Sequence, residues 1–63
     1  MNGEDYRTTR ERLDLTQPQL AKRLDLHTQT ISKRERGILP VTTEAEYAIR
    51  YLLIPDIHRR TIR

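Results

Sequence analysis

The run "LTQPQLAKRLDLHTQTISKRERG", residues 15–37, decides the fold. Thr16 and Gln19 stand three residues apart, the spacing of a capping box, and Pro18 falls in the first turn, where its missing N–H costs nothing. Leu20, Ala21 and Leu24 then form an apolar stripe, with Lys22 and Arg23 on the other side. The segment stops at Asp25, a residue type that tolerates the left-handed conformation better than most. A further helix is expected from His27 or Thr28 to Gly37, whose missing Cβ suits the position just beyond a helix end.

Inside that second segment lies "HTQTISK", residues 27–33, polar at every position but Ile31. Two short helices joined by a tight turn make a helix-turn-helix. Ala21 is small enough to let the helices cross closely, and Leu20, Leu24, Leu26 and Ile31 are expected to fill the wedge between them. The outward face of the second helix then carries Thr28, Gln29, Ser32, Lys33 and Arg36. Such a face suits base edges in a DNA major groove. A flat amide binds adenine N6 and N7, an ammonium reaches guanine O6 and N7, and a Thr methyl meets the thymine methyl.

Outward from this core motif, a first helix is expected over about residues 3–13. Asn2 serves as its N-cap, Glu4 and Asp5 complement the positive end of its dipole, and Arg10 and Arg12 lie near its other end. Tyr6, Thr9, Arg10 and Leu13 share one face. Beyond Gly37, Ile38-Leu39-Pro40-Val41 reads as an extended connector, because Pro40 disfavours helix at Leu39. Thr43 with Glu46 forms a second capping-box pattern, opening a helix through about Leu53 with Ala45, Ala48, Ile49 and Leu52 inward. Pro55 ends it. The expected architecture is all-α with four helices, one domain over residues 1–55 and a basic tail over 56–63.

Sixty-three residues allow one small domain. A chain of that size buries only about 60% of its unfolded surface. It has no Cys, so neither disulfides nor thiolate-held zinc staple it. Twelve Lys and Arg against nine Asp and Glu give a net charge of +3, compatible with a polyanionic partner. No apolar run is long enough to span a membrane, and no export signal is seen, which points to the cytoplasm. Asp25, His27 and the remote His58 have poor metal-ligand spacing. With no Cys, and no Ser beside a His, no nucleophile has an oriented base, so neither an enzyme nor a cofactor is expected.

The pattern resembles the Cro/repressor helix-turn-helix domains of lambda- and 434-repressor type. Leu15-Thr16-Gln17, Leu20-Ala21, Ile31-Ser32 and Glu35-x-Gly37 carry the likeness, with Tyr6, Arg10 and Leu13 joining from the first helix. The resemblance covers about residues 4–53. It implies a compact helical domain that binds double-stranded DNA as a transcriptional regulator, commonly as a homodimer on two half-sites. It implies base contacts by Thr28, Gln29 and Lys33, and phosphate contacts by Thr16, Gln17 and Arg36; beside these, Ser32 on the same outward face is expected at a base edge and Arg34 at a further phosphate. It further implies an internal ion pair between Arg10 and Glu35. Members commonly add a fifth helix, in whose place this chain has Pro55 and the basic tail. Asp25 replaces the usual Gly of the turn, His27 the usual Ser or Thr cap, and Arg34 a common apolar residue, so its stem is expected along the core edge with its head in solvent.

Tyr47, Tyr51 and Ile54 form a second stripe on the last helix. It serves either as packing against the first helix or tail, or as a subunit contact. Arg59, Arg60 and Arg63 are either a solvated tail or a source of non-specific phosphate attraction. A rival reading from another class is an antitoxin-type accessory subunit on the same fold, working through Leu39, Val41, Tyr47 and Tyr51.

Overall fold

A computed structural model describes residues 1–54, and the expectations about Pro55 and the tail, including Arg59, Arg60 and Arg63, lie outside the described residues. Four helices follow in order: α1 (Gly3–Arg12), α2 (Gln17–Leu24), α3 (Thr28–Glu35) and α4 (Thr43–Tyr51). No strand occurs among the described residues.

Each helix start is capped as its local chemistry allows. The Asn2 side chain accepts from the Asp5 amide at 2.7 Å. The Thr16–Gln19 capping box is complete: Gln19 N donates to Thr16 Oγ1 at 3.3 Å, and Thr16 N donates to Gln19 Oε1 at 2.8 Å. His27 occupies the N-cap of α3 and makes no side-chain cap bond. On α4 the cap is Thr42, one residue before the expected Thr43. Thr42 is extended (φ −67°, ψ 166°) and its side chain accepts from Ala45 N, whereas Thr43 is already helical. Glu46 therefore makes no box with Thr43; it accepts from the Met1 amine at 3.0 Å and pairs with Arg50 at 3.3 Å. The bond from the Met1 amine, chiefly, holds the Glu46 carboxyl below the usual carboxylate range.

The first three helices end alike. Asp14, Asp25 and Gly37 are left-handed, with φ of 59°, 57° and 78°. After each, an amide reaches back across the final turn: Leu15 N to Arg10 O at 3.4 Å, Leu26 N to Ala21 O at 2.8 Å, Ile38 N to Lys33 O at 2.9 Å. These backward bonds satisfy carbonyls the helices would leave open and reverse the chain sharply. Leu26, just past the reversal at Asp25, is 37% exposed and lies outside the core cluster instead of filling the α2–α3 gap.

The core is small. Tyr6, Leu20, Ala21, Ile31 and Ile49 form its buried cluster, flanked by Leu13, Leu15, Leu24, Val41 and Leu52. Thr9 is buried too, its hydroxyl donating to Asp5 O at 2.8 Å. α3 packs on both α1 and α2, and α4 packs on α1. Because α1 is the main helical neighbour of α4, the covered stripe of α4 narrows to Ala45, Ile49 and Leu52, and Ala48 of the expected stripe is exposed. Fully burying a side chain such as Ile31 or Leu20 contributes about 1.5–3 kcal/mol, so these few residues carry most of the fold.

Candidate nucleic-acid interface

α3 spends one side chain on the core. Ile31 is fully buried, anchoring the helix against Leu20 and Ala21 below it. Thr28, Gln29, Lys33 and Arg36 are exposed and Ser32 is half-buried. Helical spacing puts the five on adjoining rows of one outer face. Among the described residues their side chains make no hydrogen bond or ion pair. An exposed face with unused donors, acceptors and a cation is chemically equipped to meet a polar, anionic surface.

Behind that face lies a polar brace. Arg10 donates Nε to Glu35 Oε2 at 2.6 Å and Nη2 to Glu35 Oε1 at 3.2 Å, while Arg10 Nη1 donates to Leu15 O at 2.8 Å. The bond to Glu35 raises the guanidinium above its ordinary value; desolvation opposes this. Arg10 and Glu35 thus form the ion pair that ties α1 to α3.

Two side chains assigned to phosphates are engaged inside the protein. Gln17, first residue of α2 and half-buried, donates Nε2 to Glu35 Oε1 at 3.0 Å. Arg34 donates Nη1 to the Tyr6 hydroxyl at 3.1 Å, its Cζ lying 5.6 Å from the ring centroid. The Arg34 head is therefore not left in solvent as expected: the buried Tyr6 needs a partner for its hydroxyl, and Arg34 supplies one. Thr16 and Arg36 are exposed, Thr16 with its hydroxyl accepting in the cap.

Sequence reasoning missed Gly3. A Cβ there would lie 2.8 Å from Glu35 O and closer still to Arg34 O, so the absence of a side chain lets α1 begin against the end of α3. A lone Gly one residue after an N-cap gives no signal of this. The Gln17–Glu35 and Arg34–Tyr6 bonds were equally silent, since they join residues 18 and 28 positions apart.

On the outer side of α4, Tyr47 is 66% and Tyr51 45% exposed; Ile54, expected on the same helical stripe, is half-buried and lies beyond the last residue of α4, Tyr51. No helix among the described residues is long and apolar enough to cross a membrane. Residues 7–52, well over half the chain, match a family model described as helix-turn-helix. Searches of curated proteins and of solved structures found no match.

Proposed function

The chain belongs to the Cro/C1-type helix-turn-helix family of DNA-binding regulatory domains, and from that premise we propose that it reads a specific operator by laying α3 in the major groove. One observation carries the reading: α3 commits only Ile31 to the core and leaves Thr28, Gln29, Lys33 and Arg36 exposed and, among the described residues, unengaged. In this account Gln29 takes adenine N6 and N7, Lys33 takes guanine O6 and N7, Thr28 sets its methyl against thymine, and Ser32 bonds a further base edge. Thr16, Gln17 and Arg36 hold the sugar–phosphate backbone, joined by the N–H donors of Arg34 that Tyr6 leaves open.

The protein acts as a transcriptional repressor in the cytoplasm, bound to the nucleoid. Two copies occupy half-sites about one helical turn apart. Tyr47, Tyr51 and Ile54 supply the subunit contact; the exposure of the two tyrosines favours that use. Residues 1–55 form the DNA-binding domain, followed by the basic tail 56–63. The test is a titration of duplex DNA against the purified protein over a range of salt. Tight binding that weakens log-linearly with salt supports the reading; failure to bind any duplex at low salt overturns it and favours the protein-partner alternative.

A further inference from the structure

The carboxylate of Glu35 is where α1, α2 and α3 meet. Arg10 of α1 holds both of its oxygens, and Gln17 at the first position of α2 donates to Oε1 at 3.0 Å. The Glu35 side chain is only 5% exposed, so this point of contact is sheltered from water. The ion pair with Arg10 explains why a carboxylate stands here; it does not explain why Gln17 turns toward it.

A carboxylate paired with arginine only accepts hydrogen bonds, so the nitrogen end of the Gln17 amide must face it. That fixes an amide orientation which a freely rotating glutamine would leave undecided. Nε2 carries two hydrogens. Glu35 takes one, and among the described residues nothing takes the other. A phosphate oxygen is also only an acceptor: it is drawn to an amide N–H and repelled by an amide carbonyl. A side chain fixed beforehand also avoids the rotamer entropy that a free one loses on binding.

We propose that Glu35 is a positioning residue for DNA binding, acting through Gln17, whose amide it presets with one N–H ready for a phosphate. The inference rests on the proposed contact of Gln17 with the DNA backbone. Glu35 itself touches no DNA. Its carboxylate would serve the fold through the two bonds from Arg10 and the interface through the one from Gln17.

The test compares the cost of Gln17→Ala in three folded backgrounds: wild type, Arg10→Met with Glu35→Gln, and Arg10→Met with Glu35→Leu. Both double variants lack the ion pair, but only Glu35→Gln leaves a carbonyl that can accept from Gln17. Gln17→Ala should weaken DNA binding about threefold to tenfold in wild type and less than about twofold in the Glu35→Leu background, with an intermediate cost in the Glu35→Gln background, whose amide can donate to Gln17 as well as accept from it. Equal costs in all three overturn the positioning role and leave the phosphate contact standing. No cost in a wild-type protein that binds DNA overturns the phosphate contact and the inference with it. A second measurement needs no variant. In nuclear magnetic resonance spectra of the wild type, one Gln17 side-chain proton should stay protected while the other shifts on adding duplex. Loss of that protection on binding means Gln17 leaves Glu35 to reach DNA, which contradicts the proposal.

Discussion

Arg10 and Glu35 close a bidentate ion pair between α1 and α3, at 2.6 and 3.2 Å, with side chains 13% and 5% exposed. Their attraction is offset by the cost of taking both charges from water, so the pair as a whole adds little. Removing one member is different. Arg10→Met strands the Glu35 carboxylate and should cost about 3–5 kcal/mol, against a total of about 3–9 kcal/mol for a chain of this length. Arg10→Met with Glu35→Leu should recover most of that loss. Urea denaturation checks both; equal losses in the single and double variants would show that the cost is packing and not a stranded charge.

Gly3 meets the carbonyls of Arg34 and Glu35 with no room for a Cβ. Gly3→Ala gains up to about 1 kcal/mol of helix propensity. It also forces α1 away from the end of α3, at a cost of about 1–3 kcal/mol. The clash should win, because backbone carbonyls cannot swing aside as a side-chain tip would. Thermal unfolding should show a lower Tm for Gly3→Ala. An unchanged or higher Tm would mean that α1 begins farther from α3.

The turn of the motif carries two local penalties that single changes should relieve. Asp25 is left-handed at φ 57°, a conformation costing ordinary L-residues about 1–2 kcal/mol and Asp less. Asp25→Gly should be neutral or slightly stabilising, because the backbone entropy of Gly takes back about 0.5–1 kcal/mol. Asp25→Val should be clearly destabilising. His27→Ser supplies the side-chain cap that α3 lacks and should add about 0.5–1 kcal/mol. Guanidinium denaturation midpoints read all three, and a stabilising Asp25→Val would contradict the left-handed assignment.

The parts of this fold that were legible in the sequence are those set by neighbours in the chain. The Thr16–Gln19 box, the left-handed stop at Asp25 and the lone inward Ile31 follow from spacing over a few residues. The cap of α4 misled because Thr42 and Thr43 are adjacent, and only Thr43 has a Glu three residues on. The true cap, Thr42, has Ala45 at that position, which cannot reciprocate. Leu26 and Ala48 looked like core because apolar spacing says which residues can face inward, while the neighbouring helices decide which are covered. Gly3 and the internal bonds of Gln17 and Arg34 were illegible for a third reason: they are contacts across α1, α2 and α3 that no spacing encodes. The Arg10–Glu35 pair, of the same kind, is legible only through the family resemblance and not from spacing.

The central claim is that the outer face of α3 reads bases, with Gln29 as the adenine-reading amide. Selection of bound sites from a random duplex pool, run in parallel for wild type and Gln29→Ala, tests it most directly. Wild type should return two inverted half-sites, and Gln29→Ala the same half-sites with preference lost at one position in each, by about 5-fold to 150-fold. Identical selected sequences for the two proteins would contradict the claim.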